Sequence, residues 1–273
     1  KDFNREEFLD YINLRVDEEV GERMNTDALE EETELRTNCR RAAHTAEVYR
    51  GILLEEQHQN KITYLRDYRV IKHWGVIQEA LITIGYTKEE INYPHTNVLD
   101  WKKAKHLLNE EKFFSKIAEY NFKGPRTVKP PKYACTNRIL RRLEKFNVEE
   151  IDNYNVGLGV LYRFLKHVLE ARLLDIQLRK EEKAIARQRR EQLIEEEQNR
   201  IAQREKDLAE AREAFAAEHE HENTEEEEEE EEPQEFNEEE FLRAWDEEHP
   251  VIEIPEEVVD DIDADIDEDA PVE

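Results

Sequence analysis

The sequence predicts an all-α fold that is elongated, with long antiparallel helices flanking a small helical head and an acidic extended tail. Three observations predict it. Only 7 Gly and 8 Pro occur in 273 residues, too few breakers for a turn-rich β fold. Apolar residues recur at steps of three and four over long Pro-free stretches, the spacing of one helix face. Charged residues make up 40% of the chain, against roughly 25% in a typical globular domain, and they are unevenly placed.

Residues 1–27 form an N-terminal amphipathic segment in which Phe3, Phe8, Leu9, Ile12 and Val16 share a face. Thr26-Asp27 followed by Glu30 resembles a capping box. It opens a stalk-like region, residues 28–84, read as one long helix or two abutting ones. Leu29, Leu35, Ala42, Ala46, Tyr49, Ile52, Leu53 and Ile62 carry its stripe into the apolar cluster Val70–Ile84. Gly85 is suited to end it.

Residues 85–175 read as the helical head. Asp100 is a candidate N-cap for a helix with Trp101, Ala104, Leu107 and Leu108. Phe113, Phe114, Ile117 and Tyr120 mark a second short helix. Gly124-Pro125 and Pro130-Pro131 forbid a continuous helix over 121–134. Thr136 reads as the cap of a short helix with Ile139, Leu140 and Leu143, and Asn147 leads into another. Val156–Leu174 is apolar on more than one face, as a central core helix should be. Within it Gly157 and Gly159 point to close packing.

Residues 176–218 form a long charged helix. Ile194, Ile201, Leu208 and Phe215 recur every seven residues, half of a normal coiled-coil seam. That pattern fits a thin seam against one partner, or a solvated helix held by Glu–Arg and Glu–Lys pairs.

Residues 219–273 are an acidic tail. It holds 28 acidic residues and one base, Arg243, and an unbroken Glu225–Glu232 run that self-repels when free. Phe241, Trp245, Val251, Ile252 and Ile254 lie within it as anchors for docking on a partner.

Chemistry is excluded more readily than it is found. No Gly-rich phosphate loop, H-E-x-x-H or paired C-x-x-C occurs, and no cofactor, metal or catalytic constellation is expected. Asp261, Asp263, Asp265 and Asp267 suggest a calcium loop, but Ile266 and Val272 stand where Gly and Glu are required. Two lone cysteines, Cys39 and Cys135, make no disulfide framework, which fits a reducing compartment. No apolar run is long enough to span a bilayer. Ile176-Gln177, with Lys180, Lys183 and Arg187 near, opens a calmodulin-like motif, although Glu181 occupies the expected basic position.

The positive signal is basic. Lys123, Arg126, Lys129, Lys132, Arg138, Arg141, Arg142 and Lys145 share one window with a single acid, Glu144. Such a surface attracts an acidic protein surface or nucleic-acid phosphates. Its neutralisation by the chain's own tail is the competing account.

The order of VIQEALITIG (Val76–Gly85), DWKKAKHLLNEEKFFSKI (Asp100–Ile117) and VEEIDNYNVGLGVLYRFLKHVLEA (Val148–Ala171) resembles the microtubule-binding domain at the tip of dynein heavy-chain stalks. Trp101, Phe113-Phe114, Arg138–Lys145 and Tyr162–Leu165 fall in that domain's order, over about 40% of the chain. Pro130-Pro131, the thin seam and the acidic tail depart from it, and no nucleotide cradle is present. The resemblance implies a non-enzymatic structural protein of the cytoskeleton, in the axoneme of a cilium or flagellum. It would attach to tubulin or to other axonemal proteins through the head and dock partners through the tail. No nucleic acid or membrane partner is expected. The alternatives are an acidic chaperone-like binder of basic proteins and a calmodulin-dependent regulatory subunit.

Overall fold

The computed structural model describes residues 4–28, 30–55, 71–108, 111–222, 235–259 and 266. Phe3 of the N-terminal face, Leu29, Ile62 and Val70 of the expected stripe, Glu225–Glu232, and the terminal Asp261, Asp263, Asp265 and Asp267 lie outside them. The described residues are helical or irregular, with one isolated antiparallel bridge, Asn92–Leu99. The fold is all-α. It divides into two units, Lys1–Lys180 with Asp261–Glu273, and Glu181–Asp260.

The first unit opens on a helical hairpin. Helix α1, Arg5–Thr26, is capped by Asn4, whose side chain accepts from the backbone N–H groups of Glu6 and Glu7. It buries Ile12, Val16 and Val20, one residue per turn. Helix α2, Glu34–Leu54, buries Ala43, Ala46, Val48, Tyr49, Ile52 and Leu53. Three contacts fix the pair as antiparallel. Arg15 reaches Glu55 at 2.5 Å, Arg40 donates to the carbonyl of Met24 at 2.9 Å, and His44 meets Asp27 at 2.7 Å.

The expected helix start at Asp27 is corrected. Asp27 closes α1, its N–H on the carbonyl of Arg23, and Thr33 caps α2 by accepting from Arg36 N at 3.2 Å. Two cap-like residues compete over this stretch, and the one whose side chain engages His44 is spent on the hairpin.

The head is built from short helices around one long one. Helix α3, Trp74–Thr83, is almost wholly apolar and buries Val76, Ile77, Ala80, Leu81 and Ile82. Gly85 ends it at φ +108°, a conformation that costs a residue with Cβ. Helix α4, Lys88–Ile91, carries a complete capping box between Thr87 and Glu90. Asp100 caps helix α5, Trp101–Leu108, accepting from Lys102 N at 3.0 Å. Trp101 stacks on Trp74 with centroids 5.0 Å apart. Helix α6, Glu111–Glu119, buries Phe113 and Ile117.

After the irregular segment come α7, Thr136–Leu143, α8, Val148–Tyr154, and α9, Val156–Glu222. Thr136 is not the cap of α7. Cys135 holds that position without a side-chain bond, and Thr136 is buried at 1% exposure. Asn147 caps α8 as expected, accepting from Glu149 N and Glu150 N.

The start of α9 is the centre of the core. Leu158, Val160, Leu161, Phe164, Leu165, Val168 and Leu169 are all buried, each such side chain contributing about 1.5–3 kcal/mol. A Cβ on Gly159 would sit 1.8 Å from Asp152 Oδ1. That close approach lets Asp152 reach Arg163 through two bonds of 2.8 and 2.6 Å.

The second unit is simpler. The Glu181–His219 stretch of α9 is mostly exposed, with a half-buried stripe through Lys183, Arg187, Arg190, Ile194, Glu197, Arg200, Arg204, Leu208, Ala211 and Phe215. Residues 236–255 run back along that stripe. Within them helix α10, Glu238–Glu248, is capped by Asn237 accepting from Glu240 N at 3.1 Å. No helix among the described residues is long and apolar enough to cross a membrane.

Candidate interaction surfaces

The basic window divides by what each side chain already holds. Its entry is the turn at Gly124, φ +81°. Asp175 of α9 accepts from Gly124 N at 3.0 Å, and Arg179 donates to the Gly124 carbonyl at 3.3 Å and to Asp175 at 3.0 Å. Arg172, fully buried, donates to the same carbonyl and lies 3.6 Å from Asp175. A buried guanidinium needs such partners, since an unpaired one would cost several kcal/mol. The loop therefore leaves the core at a fixed point.

Arg142 is committed inward. Its guanidinium grips Glu79 of α3 bidentately, at 2.7 and 2.8 Å, and donates to the carbonyl of Tyr133 at 2.5 Å. Glu79 is buried, so this pair ties α7 to α3. The expectation that Arg138, Arg141 and Arg142 act together on a partner is corrected for Arg142, because its fork is already filled. Arg126 lies over the Tyr120 ring at 5.2 Å and donates to the Asn121 carbonyl at 2.9 Å. Lys123, Lys129, Lys132 and Lys145 are exposed, and Arg138 and Arg141 half-exposed. These six remain at the surface of the head.

Beside the window lies a cleft of about 210 Å³. One wall is the end of α3 and the Gly85 turn, with Ile82, Tyr86 and Thr87. The other is the loop with Arg126, Val128, Pro130, Pro131 and Tyr133. The walls are tied together, because Lys88 N donates to Tyr133 Oη at 3.1 Å.

The tail anchors have a different fate from the expected partner contact. Trp245 is buried at 7% exposure against the chain's own α9. Its indole N–H donates to Asp207 at 2.8 Å, and Arg200 lies over the ring at 5.6 Å. That bond holds the Asp207 carboxyl below the usual carboxylate range. Asp246 accepts from Arg200 at 3.1 Å and Arg204 at 2.6 Å. Ile252 N donates to Glu197 at 3.0 Å, and Arg190 donates to the Pro255 carbonyl at 3.0 Å.

Phe241 and Ile252 are half-buried, whereas Val251 and Ile254 are exposed. Phe236 bridges Phe241 and Phe215, with centroids 6.0 and 5.7 Å apart. The partner of the thin seam is thus the chain's own acidic segment. Sequence periodicity placed Ile194, Leu208 and Phe215 on the seam, although Ile201, expected with them, is 44% exposed, and it did not name the occupant of the seam. The signal that could have named it is the match between an arginine-rich helix and an acidic segment with aromatic anchors.

No cluster of metal-ligating side chains exists among the described residues. Ile176 of the calmodulin-like motif is buried at 2% exposure, so that segment would have to leave the core to be gripped. No protein-family model, curated protein or solved structure matches this chain.

Proposed function

We propose that the protein is a non-enzymatic attachment protein whose head binds an acidic protein surface through Lys123, Lys129, Lys132, Arg138, Arg141 and Lys145. The observation that carries this reading is the presence of these six bases at the surface of a head whose loop is clamped to α9. Exposed cations on a fixed scaffold steer and orient an acidic partner without needing to order themselves first.

The resemblance to the dynein stalk tip supports the microtubule as that partner, and with it a place in the axoneme of a cilium or flagellum. In this reading residues 28–70 and 172–218 are the counterparts of the stalk helices. The chaperone-like alternative draws less support, because Asp246 and Glu238 of the acidic segment are already paired with arginines of α9.

The test is co-sedimentation of the full chain with microtubules. Replacing Lys123, Arg138, Arg141 and Lys145 with Glu should abolish it, and salt should weaken the wild type steeply, since exposed charges are screened beyond about 8 Å at physiological ionic strength. Helicity should be unchanged, because the internal clamp Arg142 is left in place. Wild-type co-sedimentation by the charge-reversed protein would refute the reading.

A further inference from the structure

We propose that the cleft between the Gly85 turn and the Pro130-Pro131 loop is a docking site for an extended acidic segment of a partner protein, one that carries a bulky side chain among its carboxylates. This deepens the proposed function, and rests on it only in sharing the basic window.

Three observations carry the inference. The first is shape. The cleft measures about 210 Å³, room for one large side chain. Its walls carry Tyr86, Tyr133, Pro130 and Pro131, and aromatic-lined grooves take extended segments. Val128 stands at the rim with 81% of its surface exposed, so the cleft is flanked by apolar surface already in water.

The second is rigidity. Tyr133 is held at both ends, its hydroxyl accepting from Lys88 N and its carbonyl from Arg142. Arg142 is itself anchored on buried Glu79. The cleft therefore exists before any ligand arrives, and little ordering cost falls on binding.

The third is charge. Lys116 Nζ lies 4.5 Å from the centroid of Tyr86, and Lys88 Nζ lies 4.6 Å from that of Tyr133. Arg126 is in the wall itself, and Lys129 and Lys132 are on the same loop. On the adjoining helix α4, Glu89 is exposed and Glu90 is occupied in the Thr87 capping box. Two lysines over the aromatic rings, with Arg126 in the wall and two further lysines on its loop, favour an anionic peptide. The tyrosine and proline walls then select the peptide that offers a side chain to fill the cleft.

The experiment uses the full chain and two labelled twelve-residue peptides, one all glutamate and one with a central tyrosine, read by fluorescence anisotropy. The tyrosine peptide should bind at least about tenfold more tightly, the equivalent of about 1.4 kcal/mol. Val128→Asp should remove that preference, and its side chain is exposed, so folding is retained. Equal affinity of the two peptides, or no binding of either, overturns the cleft as a site.

Microtubule co-sedimentation of the Val128→Asp variant separates the two proposals. If the tyrosine preference is present in the wild type and lost in the variant while co-sedimentation persists, the cleft stands as a site distinct from the microtubule contact. A wild-type preference that survives in Val128→Asp places peptide binding elsewhere and overturns the inference.

Discussion

The helix Val156–Glu222 contributes to two regions that solve the same problem differently. Up to Ile176 it buries side chains on several faces, and Phe164, Leu165, Val168 and Leu169 are at most 1% exposed. Beyond Lys180 it offers one half-buried stripe, beside which Ile201 is 44% exposed and Ile185 64% exposed. The first region is held by apolar burial, which is non-directional and grows with area. The second is held by directional contacts, chiefly Arg–Asp pairs, an indole N–H on a carboxylate and three phenylalanines. The difference teaches that helix formation is not what sets stability here. The covering of the helix is.

The largest test of that contrast is truncation in each region. Phe164→Ala should cost about 3–5 kcal/mol, seen as a large fall in the urea midpoint of the first unit. Leu208→Ala, on a half-buried seam, should cost less than about 1 kcal/mol. Similar losses at the two positions would break the comparison.

Next in size is the one charged pair inside the apolar region. Asp152→Ala leaves the Arg163 guanidinium without its partner at a half-buried site, a change that costs about 3 kcal/mol in such pairs. Gly159→Ala should act through the same pair, because the new Cβ would occupy the place of Asp152 Oδ1. The two changes together should therefore cost less than their sum. Additive losses in a double-mutant cycle would show that Gly159 packs against something else.

These residues also mark how far the sequence could be read. The many-faced apolar pattern of Val156–Leu174 announced a core helix, and Gly85 and Gly159 announced a turn and a close approach. Periodicity is a local property, so it reports such features directly. Arg142 was read as surface because its partner Glu79 is 63 positions away, and no local pattern links them. A signal was present all the same. Glu79 is the only charged residue between Trp74 and Ile84, and an acid in so apolar a helix requires a cation from elsewhere. The cap at Thr33 was missed for a related reason, since the choice between Asp27 and Thr33 is made by His44, on the facing helix.

A smaller effect comes from pH. His167 stacks on Tyr49 at 5.1 Å. Burial, with Lys166 and Arg163 adding repulsion, pushes its imidazole down to about 4. Between pH 6.5 and 4 the unfolded chain takes up a proton that the folded chain refuses, so stability falls as the solution is acidified through that window. Allowing for partial exposure, the loss is about 2 kcal/mol. Glu170, 3.6 Å from His167, is raised by burial and works in the opposite sense, gaining stability as pH falls. His167→Phe keeps the stack and cannot titrate, so its stability should lack the fall between pH 6.5 and 4. A wild-type slope in that variant would assign the acid sensitivity to another group.

The smallest effect on global stability should come from the acidic segment, and it sharpens the comparison most. Trp245 is the one side chain of residues 236–255 that is buried, while the Arg212–Glu238 pair at one end of the segment is exposed. Arg212 and Glu238 keep 53% and 43% of their side-chain surface. Exposed pairs weaken as salt shortens the screening length from about 8 Å to about 3 Å at 1 M, but burial of an indole does not. Salt alone should therefore loosen that end of the segment and leave its centre docked. Trp245→Ala should release the whole segment, because the Arg200 and Arg204 contacts to Asp246 would then act without an anchor. Amide exchange over 236–255 should accelerate in that variant, and further in high salt. The urea midpoint of the first unit, reported by the Trp74–Trp101 stack, should not move. A midpoint that falls with Trp245→Ala as it does with Phe164→Ala would mean that the two regions share one cooperative unit, and that the directional contacts beyond Lys180 stabilise the apolar core as well as their own helix.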